Sequence, residues 1–397
     1  MNATVVCKYW RRTLVSTPNL WNNIVCGRDV IIPRVHMYFE RSRSVPVVVQ
    51  IRAQASRLLS PHTERISELT MSIDNPSDID EIAEHLSKSA PLLETMTFRV
   101  TYRGRHSPTL PPEFFKAFLS SVKVLILHSR ILSPGPCDLS RLTGFILESD
   151  LISATSADLL DSLEQMPVLQ VFKALLRRRG QPGQVSGNRV VTLPRLEEIM
   201  IVIRDNSLAP AANPILPSLR LPSARRVFLN LLNSRGAPST PILPLSFEDR
   251  LPSLSVVPKA SVALDEGTNG ITFHGSDDSK LTLYIHSSAP YAFTQFTFGG
   301  LPLDSVRTLQ VSFRSPSTDT TFFVNLLRFM EGLQRLELKR NTVGPLNCWI
   351  GLDQTGICPA LATLIITSEE AKESVEVLKQ VRERAGVPIA TVEIRGD

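Results

Sequence analysis

The chain has 397 residues, of which 43% are hydrophobic and 20% are charged, and it contains 29 prolines and 19 glycines. This composition excludes an intrinsically disordered chain and favours a fold of many short elements separated by proline-rich turns. The length would suit two or three globular domains, although a repeat array can occupy all of it as one elongated body.

The net charge of +5 is unevenly distributed along the chain. The segment that ends at Ser60 contains nine Lys and Arg residues against Asp29 and Glu40, so this part carries +7 and the remainder about −2. The sequence therefore predicts a basic N-terminal module before a near-neutral array. A uniformly basic protein is excluded, and we expect no nucleic-acid partner.

Two further features of the sequence bear on the compartment. There is no uninterrupted apolar run of transmembrane length, and the N-terminus lacks the apolar core of a signal peptide, so we expect a soluble intracellular protein, cytoplasmic and/or nuclear, with no membrane partner. The cysteines are odd in number and form no CxxC pair, which favours reduced thiols over disulfides or a metal site. They are Cys7, Cys26, Cys137, Cys348 and Cys358.

The first predicted elements lie before residue 25. Val5, Val6, Tyr9, Trp10 and Leu14 are spaced as on one face of a helix, which should end before Pro18. A second short apolar element begins directly after that proline and contains a second tryptophan. The sequence thus predicts a small all-α module at the N-terminus.

A pattern of three apolar residues, at positions i, i+3 and i+5, fills most of the remaining chain. Successive copies begin 27 or 28 residues apart in most cases, with exceptions of 29 and 20. The copies begin at Ile66, Leu93, Val122, Leu142, Leu169, Leu196, Ala224, Leu251, Val306, Leu333, Leu361 and Ile389. A period in the twenties is typical of leucine-rich-repeat solenoids, so the predicted fold class is α/β, a parallel sheet lined with helices.

Helices should precede several of these strands, because apolar residues recur there at helical spacing. The clearest cases are residues 79–86, 114–119, 159–166 and 322–330. Three buried side chains at about 2 kcal/mol each cannot offset about 1.5 kcal/mol of conformational entropy per ordered residue. No unit could fold alone, so the units must stack into one array.

Between Leu251 and Val306 the pattern fails. Two alternating runs, Gly270–His274 and Lys280–His286, flank a polar Gly-Ser-Asp-Asp sequence, which predicts a β-hairpin insertion near residues 262–290. The hairpin would be either a binding feature or an extended edge that closes the sheet.

The chain ends with a predicted helix at Glu369–Ala385, a C-cap at Gly386 and a strand at Ile389–Ile394, which together would cap the array. No GxSxG, P-loop, GxGxxG, HExxH or Cys/His cluster is present, and no histidine has a second histidine four residues away. We therefore expect no enzyme activity, no catalytic residue, no cofactor and no metal site.

The predicted functional surface is the side of the strands opposite to the core. Within each triplet, the residue after the second apolar position points outward, as does the one two residues later. This rule selects ten residues, of which eight are predicted to form a partner-binding face: Ile126, His128, Glu148, Lys173, Met200, Phe228, Glu337 and Lys339. The other two outward positions are Ile146 and Ile365. The apolar members would be exposed and bind a partner, or loops or helices would cover them.

Two phrases near the N-terminus carry a resemblance to a known family. VCKYWRR (Val6–Arg12) and STPNLW (Ser16–Trp21) resemble the C-terminal half of an F-box, and Arg34–Ile51 looks like the helix and strand that follow it. The repeat phrases Ala90–Phe98 and Cys358–Ile366 are similar to those of the F-box proteins with irregular leucine-rich-type repeats found in mushroom-forming fungi. An F-box normally opens with a leucine-proline phrase some two dozen residues earlier, so either a true N-terminus is missing or the F-box is broken.

The resemblance implies a substrate-recognition subunit of an SCF-type cullin-RING ubiquitin ligase. Residues 1–32 would be a partial F-box that binds the adaptor subunit and through it the cullin, and residues 33–397 would be the array that binds an unknown protein substrate. The residues that match the adaptor-binding half of the motif are Val6, Cys7, Trp10, Leu14, Pro18, Leu20 and Trp21. The alternative is an interaction scaffold that has no link to a ubiquitin ligase because its F-box is incomplete.

Overall fold

The computed structural model divides into two compact units, Met1–Ala174 and Leu175–Asp397. It describes residues 7–27, 32–75, 77–78, 82, 85, 90–100, 121–128, 138–151, 156–178, 189–205, 215, 218–232, 259–265, 268–274, 284–287, 303–313, 320–352 and 357–395. The predicted helices at residues 79–86 and 114–119 and the predicted triplet beginning at Leu251 lie wholly or largely outside the described residues.

The first unit is built on a parallel sheet whose strands follow one another in chain order. Its elements are α1 (Lys8–Ser16), β1 (Asn23–Val25), α2 (Ile32–Ser42), β2 (Val47–Arg52), β3 (Ile66–Ile73), β4 (Thr95–Val100), β5 (Val124–His128), β6 (Gly144–Leu151), α3 (Ser156–Glu164) and β7 (Val171–Arg178), which crosses the unit boundary. Pairing is parallel from β1 through β6, and β7 follows β6 in the sheet. This confirms the predicted parallel sheet.

The second unit contains strands of two larger sheets and one short pair. Its elements are β8 (Val191–Thr192), β9 (Glu198–Asp205), β10 (Leu219–Arg220), β11 (Arg226–Leu232), β12 (Lys259–Asp265), β13 (Thr268–His274), β14 (Tyr284–Ser287), β15 (Thr308–Phe313), α4 (Thr320–Arg328), β16 (Arg335–Lys339), α5 (Val343–Leu352), β17 (Thr363–Ile366), α6 (Lys372–Arg384) and β18 (Thr391–Ile394). Strands β9, β11 and β14 pair in parallel, as do β12, β15, β16, β17 and β18.

The predicted triplets determine the strand register. Their second members face one another across neighbouring strands, and so do their third members, which forms continuous columns of apolar side chains. In the first unit one such column is Ile24, Val49, Leu69, Met96, Leu125 and Phe145. All six side chains are buried. A one-residue slip would move every member to the opposite face, so burial holds the register.

The first member of each triplet has a different role, because it closes the turn that leads into the strand. Its N–H donates to the carbonyl three residues earlier, as at Leu93 to Ala90 (3.0 Å) and Leu169 to Met166 (3.2 Å). The same bond is made by Leu142, Leu196, Ala224, Val306, Leu333 and Leu361. The accepting residues Ala90 and Met166 are themselves buried, so the repeat includes one apolar position more than the triplet.

A shared carbonyl marks the start of many strands. The oxygen of Glu94 accepts from both Lys123 N–H (2.8 Å) and Val124 N–H (2.9 Å), and the oxygen of Lys123 accepts from the two corresponding amides of the next strand. The carbonyls of Thr143, Glu197, Arg307 and Gln334 accept two consecutive amides in the same way. Each of these strands is therefore hydrogen-bonded to the segment before the preceding strand, ahead of the regular hydrogen bonds between the two strands.

The predicted hairpin is wrong in its placement. β13 pairs antiparallel with β12, with Asp265 opposite Thr268, so only Glu266 and Gly267 separate the paired ends, and the Gly-Ser-Asp-Asp sequence lies elsewhere. β14, which overlaps the predicted second hairpin strand, instead pairs in parallel with β11. Two-residue links that contain glycine are common in β-hairpins, and the Glu-Gly pair between β12 and β13 is of this kind.

The predicted all-α N-terminal module is also wrong in part. α1 is followed by a 3₁₀ turn at Pro18–Leu20 and then by β1, which pairs in parallel with β2. The first edge strand is therefore Asn23–Val25, and Val47–Arg52 is its neighbour in the sheet. Ile24 is buried, so this segment contributes to the core of the first unit.

The helices agree with the sequence in most places. α3, α4 and α6 lie within or close to the predicted helical segments, whereas α5 was not predicted. At the end of α6, Gly386 has φ +78°, its N–H donates to the Glu383 carbonyl, and the Val387 N–H donates to the Arg382 carbonyl. This pattern is a Schellman motif, which confirms the predicted C-cap. No helix within the described part of the chain is long and apolar enough to cross a membrane.

Candidate functional site

Exposed apolar side chains are concentrated at the N-terminal end of the described chain. None of the nine residues of α1, all of which are described, is buried. Trp10 is 56% exposed, Tyr9 is 74% exposed and Leu20 is 48% exposed, and Val15 is exposed as well. We call these four residues the N-terminal docking surface.

The ends of α1 are held by local hydrogen bonds. At its start, the Cys7 sulfur accepts from the Trp10 backbone N–H at 3.4 Å, which caps the first turn. At its end, the Thr17 hydroxyl donates to the Thr13 carbonyl at 2.7 Å, and Pro18 follows. These contacts fix where the helix begins and ends without covering its exposed side chains.

Trp21 attaches this segment to the rest of the first unit. Its indole Nε1–H donates to the Leu14 carbonyl at 2.7 Å, its ring meets Tyr38 edge-on at 5.2 Å, and the Arg41 guanidinium lies 4.4 Å from the ring centroid. Trp21 is only 5% exposed. The side chain therefore packs inside the first unit, and its predicted contact with an adaptor stays a prediction.

The other predicted adaptor-binding residues differ in their accessibility. Trp10 and Leu20 are exposed, Cys7 is exposed while its sulfur caps α1, and Leu14 and Pro18 are half-buried. Val6 lies outside the described residues. Tyr9 and Val15 were not predicted as site residues, because helical spacing alone does not show which side of the helix stays exposed to solvent.

α2 is the base on which Trp21 packs, and Arg65 holds its C-terminal end. One guanidinium nitrogen of Arg65 donates to the Phe39 carbonyl (3.3 Å), and the other donates to the Ser42 hydroxyl (2.7 Å) and the Val45 carbonyl (3.0 Å). These bonds satisfy oxygens at and beyond a helix end, where backbone carbonyls lack helical partners. Burial lowers the pKa of Arg65 from its ordinary value.

In the first unit, the predicted partner-binding face consists of four described residues. Ile126 lies opposite Ile146 in the register, and both are half-buried. His128 Nδ1 lies 2.7 Å from a carboxylate oxygen of Glu148 on the next strand. Lys173 is half-buried in β7.

In the second unit the predicted residues again occur as neighbours. Met200 lies opposite Phe228, and both are half-buried rather than fully exposed. Lys339 Nζ lies 3.2 Å from a Glu337 carboxylate oxygen. Ile365 lies opposite Glu337 but is buried, so its predicted place on the exposed side of the strands is wrong. Within each unit the structure thus places members of the predicted face side by side, with the apolar members partly covered.

The described residues contain no group of three or more His, Cys, Asp or Glu side chains that could hold a metal ion.

Burial raises the pKa of the Cys26 thiol to about 11, which keeps it protonated.

Similarity to known proteins is found among solved structures. No family model matches the chain, and no curated protein matches it. Among solved structures, the chain is similar to the crystal structure of a TLR13–ssRNA13 complex at 14% sequence identity and a TM-score of 0.38, over 88% of this chain and 55% of that chain.

Proposed function

We propose that the protein is a substrate-recognition subunit of an SCF-type cullin-RING ubiquitin ligase. In this proposal the N-terminal docking surface binds the adaptor subunit, the adaptor links the chain to the cullin, and the outer face of the strands binds a target protein. The chain would have no catalytic role of its own, would need no cofactor or metal, and would act in the cytoplasm or nucleus.

The observation that supports the proposal best is the concentration of exposed apolar side chains on and beside α1. Among the described residues, five of the ten large exposed hydrophobic side chains lie between Tyr9 and Val25. Single exposed apolar residues are common, whereas several of them within one short segment favour an interaction site. The resemblance of the same segment to half of an F-box suggests which partner would cover it.

The anchoring of this segment also favours recognition of a protein. Trp21, Tyr38 and Arg41 hold the end of the segment against α2, so binding through Trp10 would order few additional groups. A partner that meets a prearranged surface loses less conformational entropy. Exposed tryptophans are also frequent among the residues that dominate the binding energy of protein interfaces.

A second candidate function is an interaction scaffold without a link to a ubiquitin ligase. β1 completes one edge of the first sheet, and Trp21 packs internally, so the N-terminal segment has a structural role whether or not an adaptor binds. In this case the exposed residues of α1 would not contact an adaptor.

Co-purification separates the two candidates. The full chain is tagged and expressed with the adaptor and cullin, and the recovered proteins are quantified. We expect both partners to be recovered with the wild-type chain and roughly tenfold less adaptor with Trp10→Ala/Leu20→Ala, because each truncation removes an exposed apolar contact.

The matched control is Val377→Ala, which truncates an exposed apolar residue of α6. It should recover as much adaptor as the wild type. Absence of the adaptor from the wild-type preparation would contradict the ligase proposal and favour the scaffold.

A further inference from the structure

The last strand of the second unit, β18, forms an open edge of its sheet. In the described part of the chain it pairs with β17 on one side and has no strand on the other. All three members of its triplet are half-buried, whereas all three members of the triplet that leads into β17 are buried. The open edge therefore exposes apolar surface of a kind that β17 buries between two neighbours.

The backbone of β18 presents hydrogen-bonding groups at this edge. The Thr391 N–H donates to the Ala362 carbonyl at 2.9 Å, and the Arg395 N–H donates to the last carbonyl of β17 at 2.8 Å. Backbone groups alternate in direction along a strand, so the N–H and C=O groups of Val392 and Ile394 point away from β17. A row of such groups at the edge of a sheet is a template for pairing with another strand.

The two charges of this edge lie on the other face of the sheet from the triplet side chains. Arg395 donates to a Glu393 carboxylate oxygen through Nη2 at 2.5 Å and through Nε at 3.2 Å. The side chains remain accessible, since 42% of the Glu393 side chain and 53% of the Arg395 side chain are exposed. Opposite charges two residues apart become complementary to themselves when the strand meets a copy that runs in the reverse direction.

We propose that β18 pairs antiparallel with β18 of a second copy of this chain, around a two-fold axis that passes between the two Ile394 residues. In this register the two Ile394 residues exchange both of their backbone hydrogen bonds. Glu393 then lies directly opposite Arg395 of the second copy, and this pair occurs twice because of the symmetry. The inference goes beyond the proposed function and does not depend on it.

Other arrangements of two copies fit the edge less well. A register centred on Glu393 would place the two Glu393 carboxylates directly opposite each other, where like charges are destabilising. Parallel pairing about an axis along the strands would turn the inner faces of the two sheets to opposite sides, so their half-buried triplet residues could not meet. Charges on an edge strand commonly prevent pairing, and here they select one register.

Sedimentation velocity of the full chain between about 1 and about 200 μM tests the proposal. We expect a dimer with a dissociation constant of about 50 μM, because two short strands bury less area than a standard interface. Glu393→Arg alone and Arg395→Glu alone should each raise this constant about tenfold, because both cross-strand pairs become like-charged. The double variant Glu393→Arg/Arg395→Glu restores both pairs and should return to within about threefold of the wild type.

A mixture provides a second readout of the same contact. Chains with Glu393→Arg and chains with Arg395→Glu should dimerise with each other like the wild type, since each supplies the charges opposite to those of the other. The matched control is Glu94→Arg, which breaks an exposed ion pair with Lys123 between strands of the first unit. It should keep the dissociation constant of the wild type.

Ile394→Pro tests the backbone contact, because proline removes the N–H at the centre of the proposed pair. Proline is tolerated on an edge strand where its nitrogen faces away from the sheet, and the unfolding midpoint establishes that the variant is folded. We expect this variant to be monomeric, whereas Ile394→Ala, which keeps the N–H, should retain more of the dimer.

Three results would overturn the inference. A wild-type chain that stays monomeric up to about 200 μM would leave this edge to a strand from a different protein. Dimers that persist in Ile394→Pro would place the contact elsewhere on the chain. A Glu393→Arg variant that dimerises like the Glu94→Arg control would exclude the proposed register.

Discussion

Arg382 is a fully buried charged side chain in α6. Its guanidinium donates to the carbonyls of Ile357 and Cys358 and lies 5.7 Å from the Trp349 ring centroid. Cys358 has φ +53°, a conformation that is unfavourable for a residue other than glycine. The arginine thus stabilises the turn that leads into β17.

Replacement of this arginine by a residue of similar length without donors should be costly. We expect Arg382→Met to lower the free energy of unfolding by about 3 kcal/mol, because two buried carbonyls lose a charged donor. Urea denaturation measures the change. Arg384→Met, on an exposed residue of the same helix, should stay within about 0.5 kcal/mol of the wild type. Equal effects of the two replacements would contradict this role.

His62 should make stability depend on pH. Its ring stacks on Phe39 at 4.1 Å, and burial lowers its pKa below 6.5, with smaller contributions from the charges of Arg65 and His36. The folded protein therefore binds this proton less readily than the unfolded chain, so the contribution of His62 to stability is complete above about pH 6.5 and is lost as the pH falls.

Thermal unfolding between about pH 7 and about pH 5 tests this expectation. His62→Phe keeps a stacked ring without a titrating nitrogen, so its unfolding temperature should fall less over this interval than that of the wild type. An identical fall in both proteins would contradict the assignment.

At the residue scale, the sequence predicts apolar burial better than polar burial. In strands that have a neighbour on both sides, the triplet residues whose burial the structure describes are buried. Helical spacing from Val375 and Leu378 also reaches Arg382, but the residue type argued against a place in the core. A buried arginine needs carbonyl partners from a distant part of the chain, which local pattern does not reveal.

At the scale of elements, the loop before β16 can adopt its conformation only because residue 332 is a glycine. A Cβ there would lie 1.6 Å from Arg307 Nη1 and 2.5 Å from the Asp304 carbonyl oxygen. Arg307 Nη1 also donates to the Gly332 carbonyl at 2.9 Å. The close approach joins the turns before β15 and β16.

We expect Gly332→Ala to lower the free energy of unfolding by about 2 kcal/mol, because the backbone of Asp304 cannot move away as a side chain could. Gly351→Ala is the matched control. A Cβ at that helical position meets nothing within 4 Å, so alanine should raise stability by about 0.5 kcal/mol. Chemical denaturation of both variants gives the comparison, and effects of the same sign would contradict it.

The differences between predicted and observed elements have local causes. α5 was missed because Gly344 and Pro345 are usually breakers, yet Pro345 falls in the first helical turn, where no hydrogen bond to its nitrogen is needed. The hairpin was misplaced because a polar four-residue sequence is a stronger turn signal than the Glu-Gly pair between β12 and β13. The repeat strands were found because their apolar spacing is regular.

At the scale of the whole molecule, parallel strands recur in both units, and the N-terminal segment provides an exposed surface beside the first strand of the first unit. The sequence predicted the parallel strands, but it did not reveal that Trp21 packs inward while Trp10 remains exposed. That distinction depends on Tyr38 and Arg41, which belong to α2 and not to the same segment. Local periodicity cannot identify such a contact.

Hydrogen–deuterium exchange of the full chain, alone and with purified adaptor, tests most directly whether the N-terminal segment is the docking site. We expect the amides of α1, Asn19 and Leu20 to exchange rapidly in the free chain and more slowly with the adaptor, while those of β15 to β18 are unchanged. Unchanged exchange in α1 when the adaptor is bound, or protection confined to the strands, would contradict it.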